Sequence, residues 1–347
     1  MDHFKRAFSV ELLAAHKANR GIASLLDRWV LPGQDAGDYG LRLAIRNGYL
    51  NFYVKGQSVG ELRLVKGSPR LRLHCKYKSF VKKGSLQAAP DSQLYQVVNA
   101  DELGRIGPDV IDKWIRTAET YAGDEKRFVD DLIAVTPNVI DLEMGLPADE
   151  DAVGKSRTAP RMDMVVAQGC EIAFWEAKSS VNSELRARAS YRELTDGGYC
   201  EGPHVIWQLR RYERWVSRPA RRSQVRDAYV ETARILLDLA ELSGKHGPAI
   251  DAWRELAASG EKATVILPPG IVIAGYCPPS ADGLSRVKSS AYVTKTKSFS
   301  QHRVRLLRHG ATVVALDGRP SSPVLPHLSS GSISVEEHGL SEEAIGA

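Results

Sequence analysis

The sequence predicts an α/β protein: a mixed central sheet flanked by helices, preceded by a smaller β-rich region. Three observations predict it. Residues 39–83 alternate apolar and polar side chains and are punctuated by NG, KG and GSP, the pattern of a β-meander with hairpin turns. From Asp124 to Asp317 the patterns run helix, three strands, helix, inserted helices, strand, helix, strand, which implies a mixed sheet covered by helices. Within that stretch "EIAFWEAK" (171–178) is apolar on both faces for most of its length, as in a strand buried on both sides.

The elements follow in order. Residues 1–36 read as a helical lead-in that ends at "LPGQDAG". The meander of 39–83 is basic: from Lys55 to Lys83 the only acid is Glu61, and Tyr77 and Phe80 stand among lysines. Such a sheet either holds a nucleic-acid backbone, through Lys76, Lys78, Lys82 and Lys83, or shows solvent a basic face. Residues 84–108 read as loop-rich and close an N-terminal region of 1–108. A helix is expected at about 109–122. Another opens at "GDEKRFVDDLIAV", where Asp124 can cap it and Phe128, Val129, Leu132 and Ile133 form an apolar stripe.

"PNVIDLEMGLP" reads as a strand and "ADEDAVGKSRTA" as a polar loop. "PRMDMVVAQGCEIAFWEAK" reads as two strands joined by a tight turn at Gln168-Gly169, followed by a polar, helix-prone segment to about Tyr191. "PHVIWQLRRYERWV" is an amphipathic helix, and a helical insertion of about 222–260 is expected at 224–243 and 248–259. "ATVILPPGIVIAGY" contains a strand broken by its prolines, "SFSQHRVRLLRHG" a helix and "ATVVALD" a last strand. The second domain is thus expected at 109–317, with a flexible Ser/Pro/Gly/Glu-rich tail over 318–347.

Composition narrows the class. The apolar fraction of 43% and charged fraction of 26% suit a soluble globular protein. No run approaches the roughly 20 apolar residues of a membrane span. Charges scattered through the first 20 residues exclude a signal peptide. Cys75, Cys170, Cys200 and Cys277 are far apart and form no CxxC pair, which points to reduced thiols in a cytoplasmic protein and not to a zinc site. The net charge of +5 biases the chain mildly toward polyanionic partners.

The chemistry concentrates at the end of "EIAFWEAK". Glu176 and Lys178 are two apart and project from one face. Asp163 lies one strand earlier. A two-residue turn at Gln168-Gly169 sets Asp163 opposite Phe174, and a four-residue loop sets it opposite Glu176. Either register puts Asp163 on the face of Ile172, Phe174, Glu176 and Lys178. Two carboxylates that close repel unless one is protonated or a cation lies between them. Their oxygens, with waters and phosphate oxygens, describe a Mg²⁺ site.

These residues carry a resemblance. "MD" at 162–163, followed after twelve residues by "EAK", resembles the PD-(D/E)xK nuclease superfamily; Met162 stands where the superfamily's variable proline usually precedes the aspartate. Gln208 and Tyr212 in "WQLRRY" form Q-x-x-x-Y and look like the added motif of the RecB-like and lambda-exonuclease-like branch. Glu125 resembles the first-helix acid of the pattern, and Glu143 is an alternative third acid. The resemblance covers about 124–317 and implies a restriction-endonuclease-like core. It implies a Mg²⁺-dependent deoxyribonuclease, with Mn²⁺ able to substitute, in restriction, repair or genome defence. Asp163, Glu176, Lys178, Gln208 and Tyr212 would be catalytic. Asp163, Glu176 and Glu125 would hold the metal. Arg210, Arg211 and Arg214 would follow a DNA backbone. RNA stays open as a substrate, as does a partner protein or a second copy of the chain. The competing class is a catalytically silent nucleic-acid-binding or complex-docking protein with the same fold.

Overall fold

The computed structural model describes residues 4–78, 94–147, 161–186, 188–192, 199–276 and 299–328. Its first half is an antiparallel five-stranded sheet, β1 (Arg42–Arg46), β2 (Tyr49–Val54), β3 (Gln57–Val65), β4 (Ser68–His74) and β5 (Tyr95–Val98), each strand beside the next in sequence. Two-residue turns join the first four. Lys55-Gly56 and Lys66-Gly67 have positive φ at both residues, the twist-matched hairpin geometry. The meander therefore includes a fifth strand from the stretch expected as loop. The helix Pro108–Glu119 packs on β2 and β3, so it belongs with this sheet.

The second half is the mixed sheet. Its main strands are β6 (Val139–Gly145), β7 (Arg161–Gln168), β8 (Glu171–Ser179), β12 (Gly270–Ala274) and β13 (Val313–Leu316), in the order β13-β12-β8-β7-β6. The β6, β7 and β8 strands are antiparallel; β12 runs parallel to both β8 and β13. A two-residue strand, β11 (Thr264–Val265), pairs with the start of β8 before β12 pairs with its end. The expected strand broken by prolines is thus two strands on one edge, with Leu267, Pro268 and Pro269 between them.

Side-chain parity divides the sheet's faces. Ala173, Trp175 and Ala177 of β8 meet Phe128, Val129, Leu132 and Ile133 of the helix Asp124–Val135. Gly123 is the N-cap of that helix; Asp124, expected as the cap, is its first residue. Ile172 and Phe174 face the other way, into a core shared with the helices His204–Ser217, Pro219–Ser243 and Ala249–Ser259.

Three segments differ from expectation. The hairpin turn is Gly169-Cys170, because Gln168 pairs with Glu171 and Gly169 takes φ +63° at the first central position. The segment expected as helix-prone is a 3₁₀ turn, Ser183–Leu185, and a hairpin of β9 (Arg188–Arg192) with β10 (Tyr199–Pro203). Part of the expected tail is packed. Leu328 is buried on the face of Trp175 and Phe128, its N–H donates to Gln168 Oε1, and Arg319 pairs with Asp131. Residues 329–347 lie outside the described residues.

Buried ion pairs join the halves. Asp141 of β6 accepts from Arg6 at 3.0 Å, Arg46 at 2.6 Å and the Tyr229 hydroxyl at 3.1 Å. Asp130 binds Arg42 and Lys55, each at 3.0 Å. Burial opposes ionisation of both acids, but their cationic partners prevail and hold them below the ordinary carboxylate range. No helix among the described residues is long and apolar enough to cross a membrane.

Candidate active site

The β7–β8 hairpin brings Asp163 and Glu176 together. Its register runs from Gln168↔Glu171 to Met164↔Trp175, and one step further sets Asp163 across from Glu176. Asp163 Oδ2 accepts from the Ala177 N–H at 2.7 Å, which locks the aspartate to the neighbouring strand. Glu176 and Lys178 lie on the face of Ile172 and Phe174, as period two requires.

Lys178 Nζ is 2.8 Å from Glu176 Oε1 and 2.9 Å from Glu184 Oε2, with its side chain only 8% exposed. Glu176 Oε2 is buried without a hydrogen-bond partner among the described residues. Burial pushes the Glu176 carboxyl up to about 7, with Lys178 opposing. Asp163 is raised well above the usual carboxylate range, first by burial and then by Glu176. Burial disfavours the Lys178 ammonium too, but Glu176 and Asp163 outweigh it and raise its pKa. Lys178 is hydrogen-bonded to Glu176 and Glu184, and its charge offsets only part of the repulsion between Glu176 and Asp163.

Glu125 reaches the end of β8 from the helix on the opposite face. Its Oε1 accepts from Ser179 N–H at 3.2 Å and from the Asn182 amide. An open cleft of about 400 Å³ adjoins it, lined by Tyr121, Glu125, Lys126, Ser179 and Asn182 among others. Glu143 sits in register beside Asp163, but its backbone takes φ +50° and its carboxylate stands 3.6 Å from Lys126 and 3.8 Å from Arg161. Among the described residues no group of three or more His, Cys, Asp or Glu side chains is arranged to hold a metal ion. Asp163 and Glu176 nevertheless supply two hard oxygen donors, with one Glu176 oxygen unpartnered among the described residues, and that set fits Mg²⁺ with water and phosphate completing it.

Gln208 and Tyr212 both come from the helix His204–Ser217. Gln208 Nε2 donates to Glu184 Oε1 at 3.2 Å. Tyr212 is buried, and burial followed by the charges of Glu176 and Asp163 raises its phenol pKa. The arginines of this helix are less free than a phosphate track would be. Arg210 pairs with Glu213 at 2.7 Å and donates to His309 O, and Arg211 stacks on Trp207 at 4.5 Å. Arg214 is half-buried on the same helix.

In the first half of the chain, Lys76 lies 4.5 Å over the Tyr121 ring, with its pKa lowered by burial and then by Lys126. Lys78 ends the short helix Cys75–Lys78. Lys82 and Lys83 lie outside the described residues.

Sequence reasoning missed Glu184, which sits in an irregular turn with no periodic signal. Its one legible cue is Asn182, two residues earlier, whose side chain caps that turn by accepting from the Glu184 N–H. No protein-family model, curated protein or solved structure matches the chain.

Proposed function

We propose that the chain is a Mg²⁺-dependent nuclease that hydrolyses phosphodiester bonds in DNA, with a restriction-endonuclease-like core. One observation carries the reading: a buried carboxylate, a half-buried one and a lysine converge at the ends of β7 and β8, and one carboxylate oxygen has no partner among the described residues. The element order supports it, with a helix, three antiparallel strands, a helix and a parallel strand around that point.

Asp163 and Glu176 would hold the cation, which when bound would lower the pKa of a water and neutralise phosphate oxygens. Lys178 stays protonated beside Glu176. Its remaining N–H can orient the attacking water or donate to a phosphate oxygen as charge develops there. Glu176 and Tyr212 are both buried, and burial strengthens the charge interactions of Glu176 with Lys178. The packed strands hold the groups to the sub-ångström tolerance such chemistry needs.

The test is incubation of the purified protein with circular single-stranded, circular double-stranded and linear DNA, in Mg²⁺, Mn²⁺ or EDTA. Cleavage is expected with either metal and not with EDTA. Asp163→Asn should lower both cleavage and Mn²⁺ affinity in calorimetric titration. Equal Mn²⁺ affinity in the two proteins would remove Asp163 from the metal site.

A further inference from the structure

We propose that Glu184 is a positioning residue for Lys178: its carboxylate bridges the lysine ammonium to the Gln208 amide and fixes the direction of the lysine's remaining N–H. The inference rests on the nuclease reading for its catalytic consequence and on geometry alone for the bridge. Glu184 Oε2 is 2.9 Å from Lys178 Nζ, and Glu184 Oε1 accepts from Gln208 Nε2 at 3.2 Å. His204 Nδ1 stands 3.6 Å from that same oxygen.

An ammonium has three donors. Two are fixed here by different carboxylates, so the direction of the third is fixed as well. Without Glu184, the buried lysine has Glu176 as its one hydrogen-bonded acid, and its other N–H donors can turn about that single bond. Sharing the lysine between two acids leaves Glu176 Oε2 without a partner among the described residues.

The orientation of Gln208 is a further observation. Its Oε1 is buried without a partner among the described residues while its Nε2 serves Glu184. Turning the amide over would point its oxygen at a carboxylate, which is repulsive. Glu184 therefore dictates the amide's orientation, and Gln208 reaches Lys178 through Glu184. Gln208 is on this account a positioning residue too.

The experiment compares wild type with Glu184→Gln, Glu184→Asp, Gln208→Ala and the Glu184→Gln/Gln208→Ala double variant in two readouts. The first is ¹⁵Nζ NMR of the lysine ammoniums, with Lys178 assigned by its loss in Lys178→Arg. A bridged Lys178 should give a slowly exchanging ammonium signal in the wild type. Glu184→Gln should lose it, and Glu184→Asp should retain part of it. The second readout is cleavage kinetics. Glu184→Gln should lower kcat about 10–100-fold, the usual scale for a residue that orients a metal-site group, with KM for DNA little changed. The double variant should be no worse than Glu184→Gln alone. A wild-type Lys178 ammonium that exchanges as fast as surface lysines overturns the proposal. So does a Lys178 signal that survives unchanged in Glu184→Gln, whatever the cleavage result. If the wild type cleaves no nucleic acid, the nuclease reading fails and the NMR comparison still decides the bridge.

Discussion

At the scale of single residues, Glu176 titrates in the range where the protein is handled. Its folded pKa of about 7 lies above the ordinary 4.5, so the folded state keeps a proton that the unfolded chain has lost between those values. Its contribution to stability is full below about 4.5 and is lost as pH climbs through about 7. Asp163 is shifted in the same direction. The metal-free protein should therefore melt at a progressively lower temperature as pH rises through that window. The loss is on the order of 1.4 kcal/mol for each pH unit that separates the folded value from the unfolded one. Glu176→Gln should flatten the trend, and saturating Mg²⁺ should reverse it by favouring the ionised carboxylates. Scanning calorimetry at three pH values, with and without Mg²⁺, checks the sign; a wild-type melting temperature independent of pH there would exclude the raised pKa. Lys178→Ala should abolish cleavage. Because Lys178 is buried between two acids, the variant should also be less stable, most visibly above pH 7. An assay together with a urea melt would separate the two losses.

At the scale of elements, the part of the site that was legible followed from strand periodicity. Asp163, Glu176 and Lys178 had to share a face because alternation in a strand leaves no choice. The turn was misplaced by one residue because Gly169 suits either central position of a two-residue turn, and the choice rests on how β7 packs. The β9–β10 hairpin was illegible: "RASYR" alternates over only five residues, with the small Ala189 as one of its two apolar positions, and the polarity of the surrounding segment resembles a solvated helix. Glu184 was missed for a related reason, since a 3₁₀ turn has no period to read. The parallel edge of the sheet makes its own prediction. A Cβ on Gly270 would lie 2.5–2.8 Å from the ring of Trp175 on β8, and that fully buried ring has little room to yield. Gly270→Ala should cost about 1–3 kcal/mol, the usual range for overpacking. Its urea midpoint should fall, and cleavage should fall with it, because β12 runs beside Glu176 and Lys178.

At the scale of the molecule, the two halves share buried charge. Asp141→Ala would leave Arg6 and Arg46 without their carboxylate and should cost about 3–5 kcal/mol. Since Asp141 is held below its ordinary pKa, the wild-type contribution is present above the unfolded value and is lost as pH falls through the folded one. Calorimetry should record one cooperative transition for the wild type and a lower one for the variant at neutral pH. Nothing in "NVIDLEMG" announced this role, because an acid facing inward toward distant arginines carries no local signature. Whether the meander holds DNA or only shows solvent a basic face has a separate test. Replacing Lys76, Lys78, Lys82 and Lys83 together by Gln should flatten the plot of log affinity against log salt. The slope should drop by roughly 0.7–0.9 for each phosphate that the protein no longer neutralises. An unchanged slope would assign the meander to protein contact or to fold stability.

The arginine at position 6 also sets a timetable for biosynthesis. Its carboxylate lies at Asp141, and the phenol that completes the cluster lies at Tyr229. At about 5–20 residues per second, a ribosome delivers Tyr229 roughly ten to forty-five seconds after Arg6. Throughout that interval the nascent chain carries Arg6 and Arg46 with their joint shelter unfinished, and the apolar ring of Phe4 waits for Trp215 and Tyr229. The five-stranded sheet can hydrogen-bond early, but the surface it will bury stays open. Until Trp215 and Tyr229 emerge, that apolar surface has only the rest of the nascent chain to cover it.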